Sequence, residues 1–118
     1  DIDEAKRHFG NAQSSDPTKP ELHYNQGVVQ SKEDNFASAL QGFDQAAKGA
    51  RKQGNLNLEG RSLYNKGSVL EKKGDVGGAV DSLLKAIRTA EKSGDQKVLS
   101  DARKKIQSLI QKQQQKQN

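Results

Sequence analysis

Cysteine, methionine and tryptophan are absent from the 118 residues of this chain, and only two prolines occur. The lack of cysteine excludes a disulfide framework, a thiol nucleophile and thiolate metal sites. Aromatic residues make up 4% and apolar residues 31% of the chain, which is thin for a globular core. No apolar run approaches the roughly 18–20 residues that a membrane-spanning helix needs. The chain has the length of one domain and must place its few apolar residues economically.

The charge balance is basic but mixed. Twenty Lys and Arg residues are interspersed with fifteen Asp and Glu residues, giving a formal net charge of +5. Two interpretations stay open, namely a well-solvated surface or a preference for acidic partners. Nucleic acid is not an expected partner, because no dense Lys/Arg cluster is interleaved with aromatic residues that could stack on bases.

One short motif occurs twice. Residues 24–27 (Tyr-Asn-Gln-Gly) return 40 positions later as residues 64–67 (Tyr-Asn-Lys-Gly). The residues that follow each copy also repeat with the same spacing: Ala39, Phe43 and Ala46 after the first, and Ala79, Leu83 and Ala86 after the second. A fixed period of this size is typical of a repeat architecture, in which each unit buries a narrow stripe against its neighbours.

Apolar residues at helical spacing predict six helices. They are predicted over residues 2–14, from 20 to about 32, from 36 to a break at 53–55, from about 56 to 73, from 76 to a break at 93–95, and from there to about 110. Pro20 fits the first turn of the second helix, and Asn or Asp next to Gly marks the later breaks. The last eight residues, 111–118, are Gln- and Lys-rich without an apolar residue, so we expect them to be frayed or disordered.

The pattern resembles the tetratricopeptide repeat (TPR). In the second copy Gly67 and Leu70 fit the first helix of that repeat, and residues 74–75 with Ala79, Leu83 and Ala86 fit its turn and second helix. The first copy departs from the family pattern because His23, Gln26 and Gln30 stand where large apolar residues are usual. The resemblance implies an all-α, right-handed solenoid of antiparallel helix pairs.

The same register divides the chain into parts. We expect a TPR-like domain over residues 1–110 and a tail over 111–118. The domain comprises a partial repeat (1–19), two full repeats (20–55 and 56–94) and a capping helix (95–110).

Two details refine the resemblance. The 40-residue period is similar to the long-repeat variant found in scaffold proteins that grip peptide segments. Paired Tyr-Asn-x-Gly motifs before a Gln-rich tail are similar to the TPR region of bacterial aerotolerance (Bat) operon proteins. The second likeness favours the bacterial periplasm or cell envelope as the location, with the cytoplasm as the alternative.

A polar stripe on the first helix of each repeat is the candidate binding site. At about 100° per residue, this stripe points away from the core-facing residues Leu63, Gly67 and Leu70. The resemblance implies that Asn25 and Asn65 hydrogen-bond the backbone of an extended peptide, and nearby basic side chains favour acidic groups. The predicted peptide-contact residues are Asn25, Val28, Lys32, Arg61, Asn65, Ser68 and Lys72.

No catalytic, cofactor or metal site is predicted. The glycines stand singly rather than in a phosphate-binding loop, and no Ser/His/Asp set or close carboxylate pair is evident. His8 and His23 are isolated, so we expect ordinary surface or boundary residues. The expectation is therefore a non-catalytic scaffold. Two roles stay open for Tyr24 and Tyr64, namely lining the groove or packing between repeats, and packing is favoured.

Self-assembly is the alternative function. The first, incomplete repeat leaves Ile2, Phe9 and Leu22 without a covering helix, and such an apolar edge favours homo-oligomers or helix exchange. Phe9→Glu should then abolish oligomers, and a chain that stays monomeric at all accessible concentrations would exclude this alternative.

Overall fold

The computed structural model describes residues 19–117, which form five helices joined by turns of two or three residues. The helices are α1 (Pro20–Lys32), α2 (Phe36–Gln53), α3 (Leu56–Lys73), α4 (Val76–Ser93) and α5 (Gln96–Gln117). No strand occurs in this range. The predicted helices over 20–32 and 56–73 have the observed bounds. The predicted helix over 2–14 lies outside the described residues.

The helices stack as an all-α solenoid. Each helix packs on the next one along the chain, because turns this short send the chain straight back. In addition α3 touches both α1 and α5, whereas α2 and α4 do not contact each other. The odd-numbered helices therefore form one layer and α2 and α4 a second layer, so the two layers expose different surfaces.

The turns between helices share one geometry. A residue with positive φ ends each of the first four helices, and the next backbone N–H bonds the carbonyl five residues back. This is the Schellman arrangement, which satisfies carbonyls left free at a helix end. The positive-φ residues are Asp34 (60°), Gly54 (73°), Gly74 (94°) and Gly94 (80°). The helices that follow begin at residues 36, 56, 76 and 96, so the turns recur every 20 residues.

Glycine allows close packing inside each helix pair. A Cβ added to Gly27 would lie 2.7 Å from the ring of Phe43, and one added to Gly67 would lie 2.8 Å from Cγ of Leu83. These two contacts are equivalent under the 40-residue period. Phe43 also packs with Val69 of α3, which joins the first helix pair to the second.

The structure differs from the sequence-based predictions at two places. His23 is not a surface or boundary residue but is buried, with 1% of its surface exposed. It lies on the face of α1 that approaches α2 closely, since a Cβ on Gly42 would stand 2.8 Å from the His23 carbonyl oxygen.

The last helix does not end near residue 110, because α5 continues through Gln117. Gln and Lys are good helix formers, and neither Gly nor Pro interrupts the chain after Asp95. The segment 111–117, predicted to be frayed or disordered, is therefore helical.

Candidate functional site

Four of the seven predicted contact residues line one open depression between α1 and α3. Val28 and Lys32 come from α1, and Asn65 and Ser68 come from α3. Ser31 and the edge of Phe43 complete the lining, and the volume is about 200 Å³. Steps of three or four residues place each pair on one side of its helix, and the contact of α1 with α3 brings the two sides together.

Asn65 is oriented by a tyrosine of the preceding repeat. Its side-chain Nδ2 donates a hydrogen bond of 3.0 Å to the hydroxyl oxygen of Tyr24. The Tyr24 ring is itself fixed by an edge contact with Phe43, with centroids 5.8 Å apart. The amide oxygen and one further N–H remain available to a ligand. Tyr24 thus packs between repeats, as predicted, and also positions the candidate binding amide.

The other three predicted contact residues are exposed but do not line this depression. Asn25, Arg61 and Lys72 all lie outside it. The Arg61 Nε donates to the carbonyl of Asn57 on its own helix at 3.3 Å, which holds the guanidinium along α3. These residues could meet a ligand only if it extends beyond the depression.

Sequence reasoning missed a neighbouring surface formed by α5. A second depression, of about 300 Å³, lies between α3 and α5 and includes Tyr64, Glu71 and Lys105. Lys105 Nζ lies 3.0 Å from Glu71 Oε1 and 5.9 Å from the centroid of the Tyr64 ring. Tyr64 therefore packs between helices, as was predicted for it.

The signal for α5 was present in the 40-residue period. Adding 40 to Asn65, Ser68 and Lys72 gives Lys105, Ser108 and Lys112. Ser108 and Lys112 are identical to their counterparts, whereas Lys105 replaces Asn. Because α5 lacks the Tyr-Asn-x-Gly motif, the sequence predicts only a capping helix there. The polar surface of the odd-numbered layer therefore extends over three helices.

Ion pairs made by this layer, including one to α2, leave an excess of basic groups. Lys66 pairs with Asp44 at 2.7 Å, and Glu71 is approached by Lys105 and, at 3.9 Å, by Lys112. Neither Lys32 nor Lys72 forms an ion pair within residues 19–117. These two ammonium groups can serve an acidic ligand without breaking an internal pair.

The residues proposed for self-association are mostly outside the described part of the chain. Ile2 and Phe9 both fall there, and Leu22 on α1 is half-buried. Homotypic assembly stays a prediction.

Residues 19–117 hold neither a metal-ligand cluster nor a membrane-spanning helix. This range contains no group of three or more His, Asp or Glu side chains placed to hold a metal ion. It also contains no helix with the length and apolar character needed to cross a bilayer.

The layered helix pairs and the small-residue contacts inside each pair define a TPR-like helical-repeat fold. A solved structure with a similar fold is the N-terminal domain of stress-induced protein-1 (STI-1) from C. elegans. The similarity has a TM-score of 0.76 at 20% identity and covers 87% of this chain and 76% of that chain. No family model matches the sequence, and no curated protein matches it as a relative.

Proposed function

We propose that this chain is a protein-interaction module that holds an extended peptide segment against its odd-numbered layer. The supporting observation is the meeting of Val28, Lys32, Asn65 and Ser68 around one depression. Open clefts of this kind, with a few polar groups around an apolar patch, suit an extended peptide chain.

The chemistry of the depression assigns a role to each side chain. The Asn65 amide, oriented by Tyr24, offers an acceptor and a donor to a peptide bond whatever the peptide side chain. Val28 supplies apolar contact, and Lys32 supplies positive charge. An acidic residue of the peptide would pair with Lys32, and a longer segment would reach Lys72 or Arg61.

The test starts from the full chain. Peptides are selected from a displayed library on the immobilised protein, and their affinity is then measured by calorimetry against wild type and variants. Asn65→Ala, alone and combined with Asn25→Ala, should weaken binding of the selected peptide by about tenfold, because a buried hydrogen bond to the peptide backbone is lost. Lys32→Glu should weaken the binding of acidic peptides, because it replaces an attractive charge with a repulsive one.

Asn57→Ala is the matched control, since Asn57 is an exposed Asn on the same helix outside the depression. Circular dichroism verifies that each variant is folded. Unchanged affinity in folded Asn25→Ala/Asn65→Ala would show that peptides bind elsewhere.

A further inference from the structure

A groove larger than the depression around Asn65 lies on the other side of α3. It runs between α2 and α4, which do not touch, and α3 forms its floor. Its volume is about 490 Å³, within the range of roughly 300–1,000 Å³ typical of ligand sites.

This groove is separate from the depression described above. Leu56, Glu59 and Leu63 of α3 line the groove, whereas Asn65 and Ser68 line the depression. At about 100° per residue, Glu59 and Ser68 point to opposite sides of the helix. A ligand in one site leaves the other accessible.

Basic residues dominate the walls of the groove. Five exposed basic side chains line it, and they come from the two facing helices: Lys48 and Arg51 from α2, and Lys85, Arg88 and Lys92 from α4. The two acidic lining residues are Asp44 and Glu59, and Asp44 already pairs with Lys66 at 2.7 Å. Lys85 pairs with Asp81 at 3.2 Å, whereas the other four basic side chains form no ion pair within residues 19–117.

The floor of the groove is apolar except for Glu59, which lies between Leu56 and Leu63 in the sequence of α3. Leu56, Leu63 and Ala47 are half-buried there, beneath the basic walls. An apolar strip between two basic rows complements a helix with apolar residues on one face and carboxylates on both flanks. It offers no stacking surface to the bases of nucleic acid, because no aromatic residue lines it.

From these features we propose that the groove between α2 and α4 docks an acidic amphipathic helix of a protein partner. Leu side chains of the partner helix lie on Leu56 and Leu63. Its Glu or Asp side chains pair with Arg51 on one wall and Arg88 on the other. The site does not depend on the peptide site proposed above.

The test uses a synthetic helical peptide of about 15 residues, long enough to form several turns. It carries Leu at spacings of three and four residues and Glu on both flanks. Nuclear magnetic resonance titration of the isotope-labelled full chain should shift the amides of Leu56, Leu63, Arg51 and Arg88. A Lys-for-Glu version of the peptide should produce no shifts, and neither should a version with Ala in place of Leu.

Charge reversal then locates the site. Arg51→Glu with Arg88→Glu should weaken binding by at least about tenfold, since two attractive pairs become repulsive. Lys52→Glu with Lys73→Glu is the control, because it changes the net charge equally at exposed residues outside the groove. Asn65→Ala should leave this binding unchanged, which separates it from the peptide site.

Three outcomes would overturn the proposal. The first is equal weakening by the control pair, which would mean non-specific charge attraction. The second is loss of binding in Asn65→Ala, which would place the helix in the other depression. The third is tighter binding of a DNA duplex or of anionic lipid vesicles, lost in Arg51→Glu/Arg88→Glu, which would assign the groove to a different class of partner.

Discussion

The side-chain amide of Asn65 donates a 3.0 Å hydrogen bond to the hydroxyl oxygen of Tyr24, across the boundary between two helix pairs. The bond joins the two copies of the Tyr-Asn-x-Gly motif directly. It therefore links the packing of the repeats to the orientation of the candidate binding residue.

Removing this hydroxyl should affect both stability and binding. Tyr24→Phe should lower the free energy of unfolding by about 1 kcal/mol, since the net value of a hydrogen bond is about 0.5–1.5 kcal/mol. A double-mutant cycle with Asn65→Ala, measured by urea unfolding, should give a coupling energy of similar size. Tyr64→Phe is the control, because Tyr64 engages Lys105 through its ring, which the change preserves. If the two substitutions had additive effects on the free energy of unfolding, the hydrogen bond between Asn65 and Tyr24 would be contradicted.

The glycines inside the helix pairs should not tolerate alanine. Gly67→Ala places a Cβ 2.8 Å from Leu83 Cγ, and overpacking of this kind costs about 1–3 kcal/mol. That cost exceeds the gain of up to about 1 kcal/mol from better helix propensity. Thermal unfolding should show a lower Tm. Gly77→Ala has no atom within 4 Å of its new Cβ and should raise the Tm instead.

The first turn can be improved by one substitution. Asp34 adopts φ of 60°, where the other three turns have glycine. A side chain in the left-handed region costs roughly 1 kcal/mol, so Asp34→Gly should raise the free energy of unfolding by about 0.5–1 kcal/mol. The opposite change in an equivalent turn, Gly74→Asp, should lower it. Chemical denaturation of the two variants beside wild type measures both effects, and a stabilised Gly74→Asp would refute the reasoning.

A buried hydroxyl offers a second stabilising change. Ser62 on α3 is fully buried, and its Oγ has no hydrogen-bond partner within residues 19–117. Ser62→Ala removes an unsatisfied polar group and should raise the free energy of unfolding by about 1 kcal/mol. Ser68→Ala is the comparison, because Ser68 Oγ donates to the Tyr64 carbonyl at 3.3 Å and is partly exposed. Equal effects of the two changes on urea midpoints would count against this explanation.

Apolar periodicity and turn residues together predicted the five helices within residues 19–117. Three of the four breaks combine a helix-ending Gly with a helix-starting Asn or Asp, and the first has Asp34 followed by Asn35. The 20-residue recurrence was harder to detect than the 40-residue one. Alternate helices bury different stripes, and Asp34 interrupts the series of glycines at the turns. Only the junction chemistry repeats every 20 residues, and it is a weak signal beside the apolar pattern.

The candidate site was predicted in part. Spacing on one helix correctly grouped Asn65 with Ser68 and Val28 with Lys32, because helical geometry alone determines such pairs. It could not show that Tyr24 engages Asn65, since that depends on how α1 and α3 are rotated relative to each other. Spacing also could not show that His23 is buried. A pattern based on apolar residues does not identify a polar residue that lies on the inner face of a helix.

Because the turns are equally spaced, a whole 40-residue repeat can be removed and the remaining turns and helices still join in register. Excising residues 36–75 would join Asn35 directly to Val76 and keep a turn followed by a helix start. Gly27 would then meet Leu83 in place of Phe43, the same kind of contact that Gly67 makes now. We expect the shortened chain to stay helical by circular dichroism, with a lower Tm because fewer neighbouring repeats support one another. The solenoid can therefore gain or lose whole repeats, and so change its length, while every turn keeps an existing sequence.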